Sequence, residues 1–450
     1  MRITMRQVAL GIGLGLVSYA ALATLTAADL DRLGKDLTPT GATRAGNADN
    51  SIPEWKGGLT APPVGWKPEQ GYVDPFAHEK PLFTINGANA EQYKDKLGPG
   101  LMALLKKYPN FTMPVYRSHR TAALPKEAIG QIRSESPRID MKDGRIAGRL
   151  YSTVPFPIPK IGEEAIHNHI LRYVGGSFDR EYDSFPVRAN GDTFKIGMAD
   201  QVVTASAFDP PQDGNLAFAY FARNTSPAIL NGTIFLVHEP IEPHKEARLA
   251  WIYNPSQRRV RRAPDLAYDA VNDNTDGLRT SDQLWGFNGA TDRYDWKLVG
   301  KKEMYVPYNT YKIGDKKLKY ADIIDKNTIK SDLMRYELHR VWVIEATLKA
   351  GQKHIYGKRT FYLDEDSWMV LGEDAYNSHG QLWRIGVHGF RQNYDAQVPW
   401  LSVLIWHDLN NGRYLVSNLD NEIKAPITFG KKAKWSDFQA DALRRAGGTH

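Results

Sequence analysis

The chain has 450 residues, 58 Lys and Arg against 51 Asp and Glu for a formal net charge of +7, and no cysteine. Without cysteine there are no disulfides, thiolate metal sites, cysteine nucleophiles or lipid-bearing N-terminal cysteine. The charge excess is mild for this length and argues against a nucleic-acid binder, and the chain is long enough to hold itself together by core burial.

At the N-terminus, Arg2 and Arg6 precede an uncharged run from Val8 to Ala23 that ends in Ala21-Leu22-Ala23. This three-part layout predicts a secretory signal over residues 1–23, cleaved after Ala23, with Ala27 as the rival site. The run falls short of the roughly 20 apolar residues a membrane span needs, and no later segment qualifies. The expected location is the periplasm, in soluble form.

Residues 24–90 read as a short helix followed by an extended arm. Thr26 and Asp29 have capping-box spacing, and Leu30 and Leu33 share a face. From Leu37 to about Pro81 the chain is rich in Gly, Pro and Asn without periodicity, and Trp55 and Trp66 suit an arm pinned to the body. Residues 91–430 form the expected main domain. A helix near 99–108 starts at Pro99, carries Leu101, Leu104, Leu105 and Tyr108 on one face, and is stopped by Pro109. A second, near 162–173, has Glu163 and Glu164 in its first turn and Ile166, Ile170 and Tyr173 on one side.

Beyond about residue 185, β-rich runs alternate with turn clusters: Asn190-Gly191-Asp192, Asp213-Gly214-Asn215, Asn231-Gly232, Asn254-Pro255, Asn377-Ser378-His379-Gly380 and Asn410-Asn411-Gly412. That pattern predicts an antiparallel meander. Arg335–Leu348 and His354–Leu363 are its clearest strands, separated by Ala350-Gly351-Gln352. Residues 431–450 read as a tail. The basic run Arg258-Arg259-Val260-Arg261-Arg262 follows Trp251-Ile252-Tyr253 and the Asn254-Pro255 turn, so it reads as the second strand of a hairpin. Trp251 and Tyr253 then share one face and Ile252 takes the other, while Arg259 and Arg261 alternate with Val260 and Arg262. The arginines lie on a polar face or rim, pairing with acids or contacting lipid phosphates.

Motifs for catalysis are missing: there is no G-x-S-x-G, no phosphate-cradling loop and no H-E-x-x-H. His167 and His169, two apart on a helix, point to different faces. Asp364, Glu365 and Asp366 lack the glycine and distal glutamate of a calcium loop and read as a charged strand-end turn. No catalytic residue, metal or cofactor is expected, although a fold can bring two carboxylates together without a sequence spacing. Aromatic residues are abundant in the expected strands. Most suit a core; alternatively, a bent sheet presents several to a ligand, the candidates being Trp251, Tyr253, Trp285, Phe287, Trp342, Phe361 and Trp383. Arg259 and Arg261 are candidate contacts for an anionic headgroup.

KRTFYLDEDSWMVLGEDAYNSHGQLWR (358–384) and WIYNPSQRRV resemble segments of periplasmic lipoprotein-sorting proteins. LGKDLTPTGATRAGN, IPEWKGGL, DPFAHEKPLFTI, RRVRRAPDLAYD, FNGATDRYDWKLVGKKEMYVPYN and RYELHRVWVIEATLKAG are similar to a large proteobacterial family identified with outer-membrane lipoprotein sorting. The resemblance covers most of the mature chain. It implies an α+β, β-dominated fold: a large curved antiparallel sheet, a half-barrel as in the LolA/LolB-like lipid carriers, covered by helices, with the N-terminal arm as an addition. It also implies a non-enzymatic carrier or chaperone for a lipid, lipoprotein or other hydrophobic molecule, working with outer-membrane or efflux-type transport partners. Two other readings stay open: an exported hydrolase or carbohydrate-binding protein, whose tryptophans stack on sugars, and a structural subunit of an envelope assembly that grips its partner with the arm.

Overall fold

The computed structural model describes residues 25–448 apart from 143–144, 148–153, 244 and 272, so the expected signal over 1–23 and its cleavage site lie outside the described residues. Helix α1 (Ala27–Arg32) begins as its sequence dictates: the Thr26 hydroxyl accepts from Asp29 N at 3.1 Å, and the Asp29 carboxylate accepts from Thr26 N at 3.1 Å. Past it the arm lies on the body. Trp55 donates its indole N–H to the Ala122 carbonyl at 3.0 Å, and Trp66 meets Tyr394 edge-on at 5.3 Å.

Two short strands, β1 (Phe83–Ile85) and β2 (Met113–Val115), flank α2 (Pro99–Lys107), and α3 (Lys126–Glu135) precedes a small separate ribbon of β3 (Asp140–Lys142) and β4 (Arg145–Ala147). Helix α4 (Gly162–Ile170) ends before Tyr173, one turn short of the expected boundary, and is buried along most of its length. Two meanders follow. The first comprises β5 (Ser177–Val187), β6 (Ile196–Thr204), β7 (Leu216–Ser226), β8 (Ile234–Pro240), β9 (Leu249–Asn254) and β10 (Arg259–Arg262). The second comprises β11 (Tyr294–Pro307), β12 (Tyr336–Leu348), β13 (Lys358–Asp364), β14 (Val370–Tyr376), β15 (Leu382–Asn393), β16 (Val398–Asp408) and β17 (Tyr414–Leu419), with the one-turn α5 (Tyr320–Ile323) between β11 and β12. All six turn clusters fall at hairpins of these meanders. Gly191 in the β5–β6 turn has φ +97°, a conformation glycine adopts without a Cβ clash.

Strand β17 returns to pair with β5, fusing the meanders into one sheet, and β18 (Thr428–Phe429) adds to β5. The pairing is antiparallel except at Val115↔Tyr336, where β2 runs parallel to β12, so the sheet is mixed rather than wholly antiparallel. It is open: the order runs from β1 at one end to β10 at the other, with β11 pairing β12 beside that path. It is also strongly curved: Val202 and Phe218, from β6 and β7, share a core with Val341 and Tyr362, from β12 and β13. Strands so far apart in the order meet only if the sheet curls.

Alternation along the strands places apolar residues on both faces. Leu404, Trp406 and Leu415 face inward, whereas Val403, Ile405 and Val416 face outward against α2 and the segment around Ile313 to Leu333. Likewise Val202 faces in, and Val203 faces out beneath Phe438 and Leu443 of the C-terminal segment. The expected tail therefore contains a packed helix, α6 (Ala440–Gly448). It approaches so closely that a Cβ on Gly447 would lie 2.2 Å from the Tyr253 ring.

Candidate functional site

The inner face of β6–β8 presents Met198, Phe218, Tyr220, Phe235 and Val237. The opposite wall is the segment between β10 and β11, which enters the concavity of the sheet and contributes Asn274, Arg279, Ser281, Leu284 and Asn288. Charged groups buried at the base of the sheet hold it there. Asp282 pairs with Arg359 at 2.7 Å and with His354 at 3.0 Å, Gln283 donates to Glu373 at 2.7 Å, and Arg359 bridges to Glu373 at 2.6 Å. Burial would raise the Asp282 carboxyl, but Arg359 and His354 override it and hold the group below the usual carboxylate range. Trp285 then packs among Phe178, Phe218 and Tyr220, with ring centroids 6.1, 5.8 and 5.7 Å away. Its φ of +56° is unfavourable for a bulky residue and is stabilised by this packing.

A cleft of about 280 Å³ opens between the C-terminal end of α4, the Pro240–Ile241 corner and Leu249. It adjoins a narrower space of about 60 Å³ under Phe218, Tyr220 and Val237, and Glu239 and Arg248 line both. These two residues form an ion pair of 2.7 Å with both side chains nearly buried. Arg248 also donates to the Leu266 and Asn288 carbonyls, at 2.5 and 2.6 Å, while the Asn288 amide donates to Glu239 at 3.1 Å. Arg279 is different. It forms no ion pair among the described residues; its Nε, like that of Arg248, is buried without a hydrogen-bond partner, its guanidinium lies 5.5 Å from the Trp406 ring, and burial pushes it below the ordinary arginine value. The Asn274 and Asn288 Oδ1 atoms lining the space are also buried without partners. Chemically, this is an apolar, aromatic space with a few polar groups whose bonding capacity is unfilled.

The residues around this cleft are largely others than the sequence candidates, which the structure distributes over several packing clusters. Trp285 packs on the inner face beside the space. Phe287, Phe361 and half-buried Trp342 belong to a cluster with Trp368 and Ile166 near α4, where Phe287 and Phe361 lie 5.3 Å apart. Trp251 and Tyr253 pack on the outer face under α6. Trp383 sits at the β14–β15 hairpin, donating to Asp408 at 3.1 Å. Arg259 and Arg261 are exposed on β10, on the face opposite Val260, and the register Val260↔Tyr253 and Arg261↔Ile252 gives the facing expected for this hairpin. His167 and His169 diverge as expected: His167 lines the cleft, and His169 is enclosed between the Trp368 and Trp285 carbonyls at 3.1 and 3.0 Å. Met198, Phe235 and Val237 went unnoticed because a strand in a two-faced sheet carries apolar residues on both sides, and alternation cannot say which side is hollow.

The Asp364-Glu365-Asp366 turn is buried rather than solvated. Arg120 takes both Asp366 carboxylate oxygens at 2.8 and 2.7 Å and also donates to the Thr43 carbonyl of the arm at 2.8 Å. Lys301 and Arg340 reach Glu365 at 2.7 and 3.3 Å. His339, Asp364 and Asp366 bring ligand-type atoms within 4.8 Å of one another. However, Arg120 occupies the Asp366 oxygens, and His339 Nε2 contacts Glu337 at 3.0 Å. This group fastens the arm to the sheet and is already supplied with cations.

Among the described residues no helix is long and apolar enough to cross a membrane. The Pseudomonas aeruginosa protein PA3922 is 44% identical over 449 residues, covering 97% of each chain. Two solved structures are similar at lower identity. A DUF1329 family protein from Desulfovibrio piger is 14% identical with a TM-score of 0.41, over 60% of this chain and 92% of that one. A LolA superfamily protein from Nitrosomonas europaea is 14% identical with a TM-score of 0.38, over 63% of this chain and 100% of that one. The model of the family described as protein of unknown function, DUF1329, matches residues 84–444, and the chain belongs to that family.

Proposed function

We propose that the protein is a periplasmic, non-enzymatic carrier or chaperone that shields a lipid, a lipoprotein acyl chain or another hydrophobic molecule during outer-membrane trafficking. The observation that carries this reading is the space beneath β6–β8, walled by Phe218, Tyr220, Phe235 and Val237 and adjoining the cleft beside α4. Its physical rationale is the cost of exposure. A 16-carbon acyl chain in water is unfavourable by about 0.8 kcal/mol per methylene, on the order of 12 kcal/mol in all. An exported chain with an aromatic-lined concavity relieves that cost, and outer-membrane or efflux-type proteins would receive the cargo. The hydrolase reading would draw on Asp364, Asp366 and His339, a group closed over by Arg120 rather than set in a cleft. The subunit reading would draw on the arm, whose Trp55 and Trp66 are engaged by the body of the protein itself.

Titration with a fluorescent fatty acid tests the reading. The probe is expected to bind with enhanced emission, and Val237→Phe, which narrows the space, is expected to weaken binding while the protein still melts cooperatively. A probe that does not bind, or binds the variant as well as the parent, contradicts the proposal.

A further inference from the structure

The arginines on the inner side of the sheet are mostly matched. Asp200 takes Arg180 in a two-point contact at 2.8 and 3.1 Å, Glu239 holds Arg248 at 2.7 Å, and Asp282 and Glu373 hold Arg359 at 2.7 and 2.6 Å. Arg279 lines the same space with 9% of its surface exposed and forms no ion pair among the described residues. Its Nε–H is buried without an acceptor, and removing such a donor from water unpaired is unfavourable. The Trp406 ring, 5.5 Å from the guanidinium, offsets part of the charge but accepts no conventional hydrogen bond. The Asn274 and Asn288 Oδ1 atoms, also without partners, line the same space together with Ser281, Glu239 and Arg248, and, being acceptors, leave Arg279 as the group there that can answer an anion. Glu239 already neutralises Arg248, and Asp282, the acid that acts on Arg279 from a distance, is itself engaged by Arg359 and His354, so Arg279 has no carboxylate in direct contact among the described residues.

We infer that this space takes a monoanionic amphiphile, its carboxylate or phosphate-type headgroup received by Arg279 and its chain laid along Phe218, Tyr220, Phe235 and Val237 toward the cleft beside α4. The inference rests on the carrier reading and adds to it the charge class of the cargo. A fork of guanidinium donors suits a planar or tetrahedral oxyanion, and a charge-assisted bond in a desolvated site is strong. A neutral lipid of the same length would leave the arginine unanswered, so the site favours the anion over the ester.

The test compares 11-(dansylamino)undecanoic acid with its methyl ester in the full mature protein, its Arg279→Met variant and its Arg279→Lys variant, with inorganic phosphate as competitor. The parent is expected to bind the acid more tightly than the ester by roughly 10- to 100-fold. Arg279→Met abolishes that preference by weakening acid binding, and melts at or above the parent, since it removes a desolvated charge. Arg279→Lys keeps part of the preference. Equal binding of acid and ester by the parent, or a preference that survives Arg279→Met, overturns the inference while leaving the carrier reading intact. Displacement of the acid by millimolar phosphate overturns it in favour of a free-anion site. If neither probe binds, the carrier reading falls with it.

Discussion

Asp374 on β14 accepts from Gly100 N, in the first turn of α2, at 3.0 Å and from the Tyr362 hydroxyl at 2.7 Å. Burial lifts its carboxyl to about 7 against the pull of those two bonds, and burial likewise lifts Asp364 to about 6, with Asp366 adding to it. A carboxyl raised in the folded state stabilises the protein below its unfolded value, near 4, and that contribution is lost as pH rises through the folded value. Buried histidines act in the opposite sense. Burial depresses His167 to about 4 and His388 and His407 to about 3, so their contribution is present above about 6.5 and is lost as pH falls. Asp374→Asn isolates one side of this balance. The variant is expected to gain on the parent between pH 4.5 and pH 8, by on the order of a few kcal/mol at most, in denaturant unfolding. A difference that is the same at both pH values contradicts the assignment. These contacts left no trace in the sequence: Asp374 and Gly100 lie 274 positions apart, and Arg120 and Asp366 lie 246 apart. No spacing rule reaches across such distances.

Local elements were legible where local chemistry decides them. The Thr26–Asp29 capping box, the Pro99 start of α2 and the turn clusters all fixed their elements through contacts a few residues apart. Helix α3 was missed because Gly130 interrupts it and only Ala128 and Ile132 are buried, a weak periodic signal. Helix α6 is short and ends in glycine, and its place is set by Tyr253 and Leu236 rather than by propensity. The arm's fastening is equally non-local, and stripping one partner from such a buried charge group costs about 3–5 kcal/mol. The basic hairpin tests the facing of an element directly. Val260 is half-buried opposite Tyr253, whereas Arg259 and Arg261 are exposed. Val260→Asp is expected to destabilise by about 1–3 kcal/mol, because it sets an unpaired charge against the layer under α6. Replacing Arg259 and Arg261 together with Gln should change stability by less than about 1 kcal/mol. Thermal melts that ranked the two variants the other way would show the hairpin to be turned over.

At the scale of the molecule, a β-dominated sheet was readable from the meander signals, but its filling was not. The segment carrying Asp282, Gln283 and Trp285 is irregular, and non-local buried contacts with Arg359, Glu373 and His354 are what hold it in the concavity. That entry leaves the hollow beneath β6–β8 rather than along the strands richest in tryptophan. The central claim is that this hollow holds an apolar cargo. Organic extraction and mass spectrometry of the protein purified from a native-like host tests that claim most directly. A defined amphiphile at near-stoichiometric level in the parent, depleted in Val237→Phe, is the predicted result; protein that yields no co-purifying apolar molecule from either form would contradict it.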